Sequence, residues 1–149
     1  MHCIDNVNVW CHKNIMIYYP IRLGPGIDPY EYLEKWVNDK GIEAAVIQSC
    51  LGSLTEASVR FANQPEATVM KGPFEILNMT GFMSTYGSHY HISLADEKGI
   101  SRGGHLMAGS KIYTTVEMLI GVMEDYRFLR TMDPQSGYEE LDIRQIKGE

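Results

Sequence analysis

Apolar and polar positions alternate with a period of two along much of the chain, and one segment near the start shifts clearly to a helical period. Ile15 to Leu23 is rich in β-branched and aromatic residues and reads as a strand. Pro20 inside it cannot donate to a ladder, which places the strand at a sheet edge or beside a bulge. Gly24-Pro25-Gly26 turns the chain. Asp28-Pro29 then opens a helix, with aspartate as the N-cap and proline in the first helical position. Tyr30, Leu33, Trp36 and Val37 form its apolar stripe, and Gly41 closes it in the left-handed conformation. Trp36 lies on that stripe, so it reads as core and not as a ligand-stacking ring.

Beyond the helix the pattern is that of strands. Ile42 to Cys50 is compactly apolar and suits a buried strand; Gly52-Ser53 reads as a turn, and Leu54 to Ala62 as a further strand. Ala62 to Lys71 is a polar linker shaped as a hairpin excursion. Gly72-Pro73 opens a strand over Phe74 to Ser84, with bends at Gly81 and Gly87. Ser110 to Met123 fits either period; the β-branched first half, Ile112 to Val116, favours strand. Tyr126 to Met132 is another strand, ended by the turn Asp133-Pro134-Gln135-Ser136-Gly137. Tyr138 to Ile143 is short and amphipathic. Residues 1–10 read as an edge strand or loose arm, and 144–149 as a flexible polar tail. The elements predict an α+β fold: a mixed, largely antiparallel twisted sheet with one main N-terminal helix, in a single domain over residues 1–149.

Three of the five histidines fall between His89 and His105. His89 and His91 are two apart, so on a strand both point to one face. Glu97-Lys98-Gly99 suits a three-residue hairpin loop with Gly99 left-handed, which sets residue 96 opposite residue 100. Counting back, His91 lies opposite His105, with His89 on the same face. Directly opposed Cβ atoms are about 4.5–5.5 Å apart, close enough for imidazoles to share one ion with Zn–N bonds of about 2.0–2.1 Å. A slip of one residue would turn His105 to the other face. Gly103 and Gly104 either open space beside the ion or form a bulge that breaks this register. A single His-x-His is as readily a polar strand face; the third histidine in register favours a metal site.

The same residues carry a family resemblance. His89-Tyr-His-Ile-Ser-Leu-Ala-Asp, followed by Gly103-Gly-His-Leu-x-x-Gly, resembles the signature of the plant and prokaryote conserved (PPC) domain, which accompanies AT-hook DNA-binding motifs in plants. Arg22-Leu-Gly-Pro-Gly26, Gly52-Ser-Leu-Thr-Glu-Ala-Ser-Val-Arg60, Gly72-Pro-Phe-Glu-Ile-Leu77 and Gly137-Tyr-Glu-Glu-Leu141 extend the match over nearly the whole chain. The resemblance implies a compact domain that assembles as a homotrimer, with a DNA-associated or regulatory role. It also implies a three-histidine metal site in many bacterial members, and a more distant fold similarity to the zinc enzyme acetolactate decarboxylase.

Charge and cysteine content narrow the partners. The net charge of −6 over 149 residues, with no basic run, disfavours direct DNA contact, and no AT-hook is present. Cys3, Cys11 and Cys50 are an odd number at no disulfide-scaffold spacing, so the chain reads as cytoplasmic with free thiols. His2-Cys3 and Cys11-His12 match no standard zinc module. Cys50 reads as a buried structural thiol. No apolar run reaches the roughly 18 residues of a membrane helix.

Two functions from different classes follow: a trimeric metal-binding module, or a zinc-dependent lyase or hydrolase on a small carbonyl or carboxylate compound. Three imidazoles leave one position of tetrahedral zinc open, the pattern of catalytic sites; imidazole also suits nickel, copper and iron. For the enzyme, Glu56 and Glu75 are the acid/base candidates, and Arg60 or Arg102 the carboxylate binders, with spacing selecting none. Arg60 alone reads first as a solvated or salt-bridged arginine.

Overall fold

The structure, a computed structural model, describes residues 16–146. The expected arm at residues 1–10, Cys3, Cys11 and their histidine neighbours lie outside the described residues. In chain order the elements are β1 (Met16–Leu23), α1 (Pro29–Lys40), β2 (Ala45–Arg60), β3 (Thr68–Met83), β4 (His89–Ala95), β5 (Ser101–Leu106), β6 (Lys111–Met123), β7 (Tyr126–Met132) and β8 (Glu139–Gln145).

Six strands form one sheet in the order β1-β6-β2-β3-β4-β5, and β7 pairs with β8 separately. Every pairing among the described residues is antiparallel, so no parallel pair of the expected mixed sheet occurs there, and strands dominate the fold. Among the described residues β1 pairs only with β6 and ends the strand order, an edge position of the kind that tolerates Pro20.

Local chemistry makes α1 as the sequence predicts. The Asp28 carboxylate accepts from the Tyr30 amide at 2.9 Å, and Gly41 takes φ 61° at the C-terminus. Leu33 and Val37 are fully buried, while Trp36 packs edge-on to Tyr19 at the core margin. The second Asp28 oxygen accepts the Gly109 amide at 2.6 Å, tying the helix cap to the loop after β5.

Three expectations are corrected in β2 and β3. Gly52-Ser53 is not a turn: β2 runs through it, and its register against β6 shifts between Gly52 and Leu54. Gly52 has φ +145°, and a β-carbon there would meet the Thr115 carbonyl, so this glycine marks a bulge rather than a reversal. The polar linker is shorter than 62–71, since β3 begins at Thr68, ahead of Gly72-Pro73. Gly81 does not bend β3; it leaves room for the Tyr90 ring on β4, which a β-carbon would meet at 2.5 Å. At the C-terminus, Arg144 and Gln145 belong to β8 instead of a frayed tail, and residues 147–149 lie outside the described residues.

β2 is the strand that organises the sheet. β6 follows its edge as far as Glu56, paired with Lys111. On that same edge β5 takes over, pairing Leu106 with Val59 and His105 with Arg60. The sheet therefore curls until β5 meets β2, closing β2, β3, β4 and β5 into a ring. Leu54, Val59, Met79, Tyr90, Leu94 and Leu106 fill its inside and are almost wholly buried.

The β7–β8 hairpin docks from outside. Phe128 is 3% exposed and packs on Phe82 with ring centroids 5.5 Å apart. Its amide donates to the Glu43 carbonyl at 2.8 Å, and its carbonyl accepts from the Ser84 hydroxyl at 2.6 Å. Arg127 adds a two-pronged ion pair to Glu43, at 2.8 and 3.0 Å.

Candidate metal centre

The histidine hairpin forms in the expected register. The Asp96 amide donates to the Ile100 carbonyl, Gly99 has φ 75°, and the Asp96 carboxylate accepts from the Lys98 and Ile100 amides at 2.9 Å. His91 pairs with His105, as counted from the loop length. Strand parity turns Tyr90 and Ile92 into the core, so His89 and His91 face outward. Tyr90 anchors that parity: its hydroxyl donates to Glu34 on α1 at 2.8 Å, and its ring meets Tyr30 edge-on.

The three imidazoles converge. The Nε2 atoms of His89 and His91 are 3.1 Å apart, and one ligand atom from each ring can be chosen so that all lie within 4.8 Å. Ring centroids are 4.6 Å apart for His89 and His105, and 5.9 Å for His91 and His105. Tetrahedral zinc with bonds of about 2.05 Å sets its nitrogens about 3.4 Å apart, so small ring rotations bring the donors to bonding distance. Burial, then the neighbouring His91 and Arg130, lowers the His89 pKa. Burial, then His89 and Arg60, lowers that of His105 to about 4. Both rings are therefore neutral at neutral pH, the state a cation requires of its ligands. The donor set fits a divalent transition ion.

The two glycines before His105 open space; they do not disrupt the register. β-Carbons on Gly103 and Gly104 would run into the carbonyls of Ile92 and Arg60. Their absence lets β5 lie between β4 and the end of β2.

Beside the histidines is a cleft of about 490 Å³, lined from the sheet by Arg60, His89 and His105, from the β7–β8 hairpin by Arg130, Tyr138, Glu139 and Glu140, and from the segment before β4 by Tyr86 and Gly87. Arg60, read first as a solvated or salt-bridged arginine, is half-buried with no ion pair among the described residues, and it sits directly across from His105 on the same face. The other candidates lie elsewhere. Glu56 is paired with Lys71 at 2.6 Å and Lys111 at 3.4 Å. Glu75 is opposite Ala95, at the end of the β3–β4 pair remote from Thr80, which faces His91. Arg102 lines a separate cleft with Asp96 and Pro73. Sequence reading missed Arg130, Glu139 and Glu140. Its turn signal at residues 133–137 marked the hairpin, yet nothing local says where a hairpin docks. Cys50 is buried as expected, and burial pushes its thiol pKa up to about 12.

A ring of antiparallel strands with a three-histidine cluster on its outer face defines a class of small β-rich domains built around one hairpin. The chain belongs to the Plants and Prokaryotes Conserved (PCC) domain family, which matches residues 12–124, the family to which the histidine motif points. It is similar to a hypothetical protein from Salmonella cholerae-suis, with 34% identity, a TM-score of 0.86, and coverage of 90% of this chain and 97% of that one. It is also similar to the metal-containing protein AF0104 from Archaeoglobus fulgidus, with 26% identity, a TM-score of 0.72, and coverage of 91% and 99%. The bifunctional protein GlmU of Synechococcus sp. (strain JA-3-3Ab) is 39% identical over 128 residues, which cover 86% of this chain. The matched region spans 21% of that relative's length. No helix among the described residues is long and apolar enough to cross a membrane.

Proposed function

We propose that this chain is a metal-binding PCC-domain protein that holds one divalent ion, zinc foremost, on His89, His91 and His105, and a small molecule in the adjoining cleft. The observation that carries this reading is the cross-strand pairing of His91 with His105, with His89 on the same face and the donor atoms within 4.8 Å. The metal-containing relative from Archaeoglobus fulgidus supports it. When bound, such an ion supplies a Lewis acid to a ligand oxygen. The chain's own contribution is to hold three imidazoles in place and to wall the cleft with the β7–β8 hairpin. On this reading the protein is either a binding module or an enzyme on a small carbonyl or carboxylate compound.

Metal analysis of the purified protein tests the reading. About one zinc per chain is expected, falling by at least tenfold in His91→Ala and in His105→Ala. Unchanged metal content in both variants rules the centre out.

The assembly we propose is a homotrimer of single-domain chains. In support, Tyr113, Leu51 and Leu77 on the neighbouring strands β6, β2 and β3 are 51, 54 and 55% exposed, which is unusual for a lone sheet face. Sedimentation equilibrium is expected to give three times the chain mass. A DNA-associated or regulatory role is the second reading, favoured by family membership and opposed by the net charge of −6. Gel-shift titration at low and moderate salt decides it: no retarded duplex at either salt excludes direct contact.

A further inference from the structure

Part of the cleft's lining comes from the β7–β8 hairpin, Arg130 on β7 and Glu139 and Glu140 on β8, which lies outside residues 12–124. Hairpin parity explains how. Phe128, Arg130 and Met132 share one face of β7, and buried Phe128 shows that this face is turned toward the main sheet. Phe128 packs on Phe82, which pairs with His89. Two residues further along, Arg130 reaches the cleft beside His89. Its stem passes over Gly87, where a β-carbon would lie 3.2 Å from Cγ of Arg130. Arg60 reaches the same cleft from β2.

Both arginines are half-buried, and neither makes an ion pair among the described residues. Two half-buried guanidiniums in one cleft, neither tied to a carboxylate among the described residues, are available to take an anionic group. The planar guanidinium fork matches a carboxylate or phosphate. Glu139 and Glu140 on the same rim penalise a second negative charge on the ligand. A cavity of about 490 Å³ suits a small molecule.

We propose that Arg60 and Arg130 form an anion seat that takes the carboxylate of a small 2-hydroxy or 2-oxo acid, whose neighbouring oxygen faces the histidines. The second half of this assignment rests on the metal-centre reading; the arginine seat does not. The hairpin thus confers ligand selection on a centre built by the sheet.

Side-chain Nε–Hε resonances of the arginines, followed by nitrogen-15 NMR, provide the test. Glycolate, glycolamide and inorganic phosphate are titrated into metal-free and zinc-loaded protein. Glycolate is expected to shift the Arg60 and Arg130 signals in the metal-free protein, and zinc to tighten its binding by at least tenfold. Glycolamide, which lacks the charge, is expected to move neither signal, and phosphate to bind more weakly than glycolate. Arg130→Gln and Arg60→Gln are each expected to weaken glycolate about tenfold while zinc content stays that of the unaltered protein. Arg130→Lys, which keeps the charge without the fork, should fall between and guards against a folding defect in the glutamine variant. Signals unmoved by glycolate, or moved equally by glycolamide, overturn the seat, and tighter phosphate binding overturns the carboxylate assignment. A protein that takes no zinc refutes the centre, while the metal-free titration still decides the seat.

Discussion

Gly104→Ala isolates the link between strand packing and the metal centre. The added β-carbon would lie 2.7 Å from the Arg60 carbonyl and 3.0 Å from Cγ1 of Val59. Ordinary contact begins at 3.4 Å, so β5 must retreat from β2 by about 0.7 Å, and a backbone carbonyl has no rotamer with which to yield. The pairing at risk is short, Val59 with Leu106 and Arg60 with His105, and it places the third imidazole. Metal–ligand distances tolerate only about 0.2 Å, so a backbone displacement of this size must be taken up by further rotation of the His105 ring, away from the arrangement in which the three donors converge. Overpacking of this kind costs about 1–3 kcal/mol of stability, and zinc affinity should fall by roughly 10–100-fold, the range seen when groups supporting a ligand are disturbed. Competition against a chromophoric chelator measures the affinity, and thermal unfolding of the metal-free protein measures the stability separately. A variant that binds zinc as tightly as the unaltered protein would refute the claim that the glycine permits the close approach of β5.

Three further outcomes follow from the same geometry. Phe128→Ala removes the hairpin's buried anchor and should cost about 3 kcal/mol in urea unfolding, while zinc content stays unchanged because all three histidines lie on β4 and β5. The Glu43 carboxyl is held below its ordinary range by hydrogen bonds from Arg127 and Tyr86. Its contribution is therefore present above the ordinary carboxylate pKa and lost as pH falls through the lowered one, so amide exchange in β7 and β8 should accelerate on acidification and much less so in Glu43→Gln. Cys50, with its thiol pushed up to about 12, should resist iodoacetamide at pH 8 in the folded protein, as read by mass mapping of the labelled peptides, and react only on unfolding.

Much of the candidate site was legible because it is local. Loop length between two strands sets their register, and Glu97-Lys98-Gly99 brought His91 opposite His105 without reference to the rest of the chain. The helix was legible for the same reason, since Asp28, Pro29 and Gly41 act within one turn of its ends. Gly52 misled because glycine serves a turn and a bulge equally well, and only the arrival of Thr115 on β6 distinguishes them. Glu56 was a candidate acid until Lys71 and Lys111 proved to be its partners.

By itself, the sequence determined the helix, the histidine hairpin, the strand-rich fold and the likeness to a family, all of which depend on side-chain period and turn chemistry over a few residues. Only the tertiary structure decided that β5 closes against β2, that Arg60 stands across from His105, and that the β7–β8 hairpin lays Arg130 beside the imidazoles. Those contacts join residues 40 or more positions apart through packing such as Phe128 on Phe82. Periodicity records which face of a strand is apolar, and packing alone selects the surface that covers it.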